Sequence, residues 1–240
     1  MSAASAGTAP PWVLAVDTAT DVYSGALLRV TELVAEFTAC APRRHAERLH
    51  TLLQHVLAEA GIHLPAVDVF GVSSGPGSFT GLRIGVSVKK GLAFACGKPL
   101  IAVNTLDALA HTVPPAFPEL VAMLDARMHE VYAATYAREA QAWRRVGAPQ
   151  VGAPGPLAAQ APPGACFVGD GIVRYADEVR GAAPAAVLLG GYHATPRAGA
   201  VALLAVASYA AGAPGDPGSV TPLYLRQSQP EEARHRAASP

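Results

Sequence analysis

The segment whose residue types and spacing come nearest to chemistry is Gly75-Pro76-Gly77-Ser78-Phe79-Thr80-Gly81-Leu82-Arg83-Ile84-Gly85. A glycine-rich loop that follows a strand and opens a helix gathers backbone N–H groups at the positive end of that helix, an arrangement suited to an anion. It is not a Walker A loop, because neither Gly75 nor Gly77 is followed at the required distance by a Gly-Lys pair. The competing reading is a turn whose glycines supply positive φ, with Ser78 or Thr80 capping the helix. Spacing alone favours that turn, so Gly75, Gly77, Ser78 and Thr80 are expected to be structural.

Two further segments sit where phosphate loops belong in an actin-like ATPase. Asp17-Thr18-Ala19-Thr20 has Ala and Thr where glycine would let the backbone wrap a phosphate, and Asp125-Ala126-Arg127 is followed by no glycine. Both loops therefore read as degraded. Eight histidines raise the question of a metal, but His45, His50 and His55 are five apart, which scatters them around a helix. Neither HxxxH nor HExxH occurs, and no Ser-His-Asp or Cys-His constellation has a recognisable local context. No catalytic, cofactor-binding or metal-ligating residue is assigned.

These residues have to be positioned by a particular order of elements. Trp12–Asp17, Tyr23–Arg29 and Leu33–Thr38 are short apolar runs separated by turns, an antiparallel meander. Leu49, Leu52, Leu53, Val56, Leu57 and Ala60 then form one helical stripe, between Pro42 and Gly61. Strand Val67–Ser73, helix Thr80–Cys96, strand Leu100–Val103 and helix Leu106–Ala110, with Thr105 as its cap, complete a β-β-β-α-β-α-β-α lobe over 12–112. Beyond Pro114, Pro115 and Pro118, strands are predicted at Leu120–Leu124, Glu130–Tyr136 and Cys166–Val168. A Pro- and Gly-dense loop spans Gly147–Gly164, and a helix covers about Thr195–Ala211. The second α/β lobe spans 113–226, and its last helix is placed to return to the first lobe. Val220–Arg226 reads as strand-like or extended; residues 1–11 read as a flexible extension and 227–240 as a mobile tail.

Composition narrows the classes. The chain has 240 residues, 51% hydrophobic against 15% charged, which excludes a disordered polypeptide. Eighteen basic and eighteen acidic residues balance, so global charge points to neither nucleic acid nor a membrane surface. Three widely spaced cysteines make no disulfide framework or zinc ribbon and fit a reducing compartment. The first ten residues lack the basic and apolar regions of a signal peptide, and no stretch is long enough to span a bilayer. The expectation is a soluble, cytoplasmic protein.

Six segments resemble the TsaB (YeaZ) family: VLAVDTAT (13–20), APRRHAERL (41–49), GPGSFTGLRIGVSVKKGLA (75–93), PLIAVNTLDALA (99–110), DARMHEVYAATY (125–136) and PLYLR (222–226). They run in family order, and GPGSFTGLR followed by DAR-x-x-EVY is the most specific pair. The resemblance implies a two-lobed α/β fold of the acetate and sugar kinase/Hsp70/actin type, built on ribonuclease H-like sheets. It also implies a role in forming N6-threonylcarbamoyladenosine beside the anticodon of tRNAs that read ANN codons. In that system TsaD transfers the threonylcarbamoyl group and carries the metal, TsaE is a P-loop ATPase, and TsaB is the non-catalytic partner. The implied partners are thus TsaD directly, TsaE and tRNA through the complex, and a second copy of the chain when TsaD is missing. ATP and metal belong to the partner subunits, and the chain has no cofactor of its own. An autonomous kinase or a peptidase of the same fold stands as the alternative.

The resemblance also implies that TsaD meets the first two helices. Gly81 and Gly85 lie four apart, and each glycine costs a helix about 1 kcal/mol, so the pair asks for a packing reason. The close-approaching element is either the helix at 43–60 of the same chain or a helix of another protein. With Leu49, Leu53 and Val56 committed to the sheet, the expected interface is His45, Arg48 and Leu52 on the first helix, with Gly81, Gly85 and Lys89 on the second.

Overall fold

A computed structural model describes residues 10–41 and 45–225 of the chain. The predicted extension and tail, apart from residues 10 and 11, lie outside the described residues. So do Arg43 and Arg44, and so does the His45 side chain.

Strands β1 (Trp12–Asp17), β2 (Val22–Arg29) and β3 (Glu32–Cys40) form the meander, with Trp12 opposite Arg29 and Asp17 opposite Ser24. The two-residue connection between β2 and β3 puts Val30 at φ 58°, the left-handed geometry that matches strand twist in tight hairpins. Helix α1 (His45–Glu59) lays Leu49, Leu52, Leu53 and Val56 into the core, as its 3.6-residue period dictates. Strand β4 (Val69–Gly75) is buried along its whole length, the pattern of a central parallel strand. It leads into α2 (Phe79–Cys96), which ends at Gly97 with φ 62°. Strand β5 (Leu100–Asn104) and the short helix α3 (Thr105–Ala110) follow. The sheet order is β3-β2-β1-β4-β5, with β1, β4 and β5 parallel.

The second half repeats this design. Strands β6 (Glu119–Arg127), β7 (Glu130–Glu139) and β8 (Ala142–Gly152) form a meander, followed by α4 (Pro154–Ala158), β9 (Cys166–Val168), α5 (Asp170–Arg174), α6 (Ala176–Ala182) and β10 (Val187–Leu189). The order β10-β9-β6-β7-β8 is the first sheet's order in mirror listing, with β9 and β10 taking the parallel positions. Two mixed sheets of one topology make the two-lobed α/β fold. Helix α7 (Ala198–Ala210) then crosses back to the first sheet, on the face opposite α1 and α2. There Ala198, Val201, Ala202 and Ala205 pack on Val13, Ala15 and Val69. Its first N–H groups are met by side chains of the meander: Ser24 Oγ accepts from Ala198 N–H at 2.9 Å, and Glu36 Oε1 accepts from Gly199 N–H at 2.9 Å.

Three expectations are corrected. The loop expected over Gly147–Gly164 is largely the edge strand β8 and helix α4; an edge strand has solvent-facing backbone positions where Pro149 and Gly147 cost little, and Trp143 anchors it by donating Nε1–H to the Val113 carbonyl at 2.8 Å. Asn104, not Thr105, caps α3, because its side chain reaches Leu106 N–H at 2.9 Å, while Thr105 Oγ1 accepts from Gly75 N–H at 3.1 Å. The last helix starts at Ala198, not Thr195, since Arg197 is extended. Residues 220–225, read as strand-like or extended, carry no helix and no ladder strand, and Leu223 N–H donates to the Ser74 carbonyl at 2.6 Å. No helix among the described residues is long and apolar enough to cross a membrane.

Candidate functional site

The glycine-rich loop between β4 and α2 is built by contact with the β1–β2 turn. Gly75 and Gly77 hold φ of 125° and 157°, and a Cβ at either would run into a carbonyl, that of Leu223 or of Ala19 respectively. Ser78 N–H donates to the Ala19 carbonyl at 2.7 Å, and Ser78 Oγ accepts from Gly81 N–H at 3.3 Å as the cap of α2. Thr80 is exposed and is not the cap.

The β1–β2 turn spends its own polar groups inside the chain. Thr18 Oγ1 donates to the Gly81 carbonyl at 2.8 Å, and Asp17 Oδ1 accepts from Ala19 N–H at 3.2 Å. Burial pushes the Asp17 carboxyl up to about 6, against the opposing pull of the Ser73 hydroxyl and the Ala19 N–H. Asp17 Oδ2 and Ser73 Oγ make no well-formed hydrogen bond among the described residues.

At the second expected phosphate position, the β6–β7 hairpin carries Arg127, Met128 and His129 at φ 65°, 52° and 61°. Three consecutive left-handed residues with side chains are strained, and the turn is held by charge. Asp125 Oδ1 accepts from Arg127 N–H at 2.9 Å, and Asp125 Oδ2 faces Arg127 and Arg174 at 3.4 and 3.5 Å. Asp170 accepts from Asp125 N–H at 2.8 Å, and burial, with the Asp125 carboxylate nearby, raises its carboxyl to about 6. Arg127 also reaches Asp21 of the first lobe at 3.3 Å. A guanidinium and carboxylates thus stand at the turn where the sequence led to the expectation of a degraded phosphate loop. Among the described residues, no group of three or more His, Cys, Asp or Glu could hold a metal ion.

The residues expected at the partner surface divide. Arg48 is exposed on α1. Leu52 is in the core, its side chain filling the space that a Cβ at Gly25 would need. Gly81 and Gly85 lie against Thr18, with no room for a Cβ at either. Lys89, one turn on, is fully buried; its Nζ donates to the Leu14 carbonyl at 3.0 Å beside the Phe70 ring, and burial drives its pKa well below the usual lysine range. The row 81–85–89 therefore serves the chain's own strand β1 and β1–β2 turn, and Leu52, Gly81, Gly85 and Lys89 are not available to a partner. The small residues that do face outward are Ser87, Gly91 and Ala95, in line with Arg83, and a Cβ at Gly91 would meet nothing within 4 Å.

Sequence reasoning missed one cluster at the end of that row. Arg83 stacks on Phe79, its guanidinium carbon 3.8 Å from the ring centroid, and its Nε donates to Tyr224 Oη at 3.0 Å. The Tyr224 and Phe79 rings lie 4.9 Å apart. The pair Phe79/Arg83 is legible as i, i+4 neighbours; Tyr224, 141 positions away, is not.

With this geometry in view, comparison with known proteins is informative. A family model described as TsaD, tRNA N6-adenosine threonylcarbamoyltransferase, matches residues 38–174, more than half of the chain. The tRNA threonylcarbamoyladenosine biosynthesis protein TsaB of Escherichia coli K12 is 39% identical over 129 residues, 53% of this chain and 55% of that protein. The match thus spans about half the length of the curated relatives. Solved structures extend it: YeaZ from Pseudomonas aeruginosa superposes with a TM-score of 0.79 at 32% identity, covering 90% of this chain and 100% of that one. A second structure, of a protein from the same organism described as uncharacterized with similarity to peptidase YeaZ, gives 0.75 at 34% identity over the same shares. A relative above 30% identity covered from end to end settles the family: the chain belongs to the TsaB (YeaZ) family.

Proposed function

We propose that this chain takes part in making N6-threonylcarbamoyladenosine in tRNA as the non-catalytic partner of a TsaD-type transferase. The observation that carries the reading is the full-length superposition on YeaZ, together with the biosynthetic role in the names of the TsaB relatives. The chemistry of the site supports it. The β1–β2 turn is closed on α2, and the second turn presents Arg127 among carboxylates instead of a glycine-lined wrap. ATP and metal accordingly belong to the partner subunits, a TsaE-type ATPase among them, and tRNA meets the complex, not this chain alone. The partner surface is the outward face of α2 with the exposed side of α1 at Arg48. Its row of small residues lets another helix approach closely.

The test mixes the chain with the TsaD-type protein of the same organism, measures binding by calorimetry, and then follows threonylcarbamoyladenosine formation with and without the chain. The chain alone should neither hydrolyse ATP nor modify tRNA, and its addition should raise product formation. Micromolar ATP binding by the isolated chain, or a TsaD-type protein indifferent to its presence, overturns the reading.

A further inference from the structure

We infer that Arg83, held between Phe79 and Tyr224, is a receptor for a carboxylate on a helix of the partner protein, and that the returning segment 216–225 sets its geometry. The inference rests on the reading of α2 as the partner surface and names the chemistry the partner must bring.

Arg83 is exposed and faces no carboxylate within ion-pair distance among the described residues. It is nonetheless not a loose side chain. One face of its guanidinium lies on the Phe79 ring at 3.8 Å, and its Nε–H is spent on Tyr224 Oη at 3.0 Å. Those two contacts fix the plane and leave the Nη1/Nη2 edge as a two-pronged donor, the fork that matches a carboxylate. Holding a long side chain in place beforehand removes much of the entropy cost of docking. An aromatic-flanked arginine is also the composition of an interface anchor.

Tyr224 is presented by a segment that is tied down at three points. Lys90 Nζ donates to the Gly218 and Val220 carbonyls at 3.1 and 3.0 Å, and Leu223 N–H donates to the Ser74 carbonyl at 2.6 Å. Lys90 is thereby occupied and Lys89 is buried, so Arg83 is the outward cation of α2. One cation beside Ser87, Gly91 and Ala95 is a poor match for RNA, whose binding draws on several phosphate contacts at once. It suits a helix that packs closely along the small row and offers one acidic side chain at the Arg83 end.

The variants Arg83→Gln, Arg83→Lys and Tyr224→Phe are measured beside the parent for melting temperature, for affinity to the TsaD-type protein at low and high salt, and for self-association. With native-like melts, Arg83→Gln should weaken binding about tenfold or more and flatten its salt dependence, a loss of about 1.4 kcal/mol per decade. Arg83→Lys should recover only part of the affinity, because it keeps the charge and loses the fork. Tyr224→Phe should lower affinity a few-fold without altering charge. A parent that binds while Arg83→Gln binds equally well overturns the receptor and leaves the proposed function standing. So does an Arg83→Gln variant that changes only tRNA binding or only dimerisation of the chain. A parent that does not bind the TsaD-type protein at all overturns both.

Discussion

Two buried charged residues, Asp17 and Lys89, set opposite pH dependences. Burial raises the Asp17 carboxyl to about 6 in the fold from its ordinary value of 3.8, so between those values the folded state holds a proton that the unfolded chain has already released. Its contribution is therefore most favourable below about pH 4 and is lost as pH rises to 6, at a cost approaching 3 kcal/mol at neutral pH. Asp17→Asn keeps an oxygen for the Ala19 N–H and needs no charge, so it should raise stability at pH 7 and reduce the fall between pH 4 and 6, leaving the part that belongs to Asp170. Denaturant titrations across that range check it; an unchanged slope would show that Asp17 is not the titrating group. Lys89 works in the other sense. Burial lowers its pKa, so the unfolded chain binds the extra proton and stability rises as pH climbs toward the usual lysine value. Lys89→Met fills similar volume without a buried amine. It should be neutral to about 2 kcal/mol stabilising at pH 7, with the alkaline rise removed. A severe loss of stability would mean instead that the bond to the Leu14 carbonyl is indispensable.

The second helix decides between two rows of small residues. Leucine at position 85 has to displace Thr18 and the β1–β2 turn, and overpacking of that kind costs about 1–3 kcal/mol or more. Gly85→Leu is therefore expected to lower the melting temperature, and any lost partner binding would follow from damage to the fold. Gly91 lies on the open row. Gly91→Ala should raise stability by up to about 1 kcal/mol through helix propensity. Gly91→Leu should melt like the parent yet weaken TsaD-type binding about tenfold, the decade that corresponds to about 1.4 kcal/mol. Thermal melts paired with calorimetry on the same samples separate the two rows. Wild-type affinity in Gly91→Leu would remove α2 from the interface.

At the scale of the molecule, α7 makes the first lobe depend on chain that follows the second. The core on that face of the first sheet joins Val13, Ala15, Ala26, Leu28 and Val69 with Ala198, Val201, Ala202 and Ala205. A fragment of residues 10–112 leaves this apolar sheet face open, and an exposed surface of that kind drives association. The fragment should show no cooperative melt, whereas the same residues joined by a short linker to 195–225 should recover one. A cooperative transition in the fragment alone would mean that α1 and α2 suffice for the lobe. By contrast the Arg127–Asp21 bridge between the lobes is more than half exposed on both sides, and exposed ion pairs contribute little.

Local sequence was enough for the elements whose signals are local. The short apolar runs of β1 to β3, the 3.6-residue stripe Leu49–Leu53–Val56 and the stop at Gly97 all act within a turn or two of chain, whereas the choice of Ser78 over Thr80 as the cap of α2 was left to the structure. The absence of glycine after Asp17 and Asp125 was equally visible, and with it the altered phosphate positions. Tertiary structure decided what depends on partners far along the chain. Strand β8 exists because β7 offers a free edge that tolerates its Pro and Gly, and no short-range signal encodes that edge. The orientation of α2 about its own axis was open in the sequence, since positions 81/85 and 87/91/95 are both small. It was fixed by Thr18, 63 residues from Gly81, and by the burial of Lys89. The organised arginine at position 83 likewise needs Tyr224, brought back from the far end of the chain. Propensity and periodicity act between near neighbours; which face of an element is spent on its own fold is a long-range packing decision.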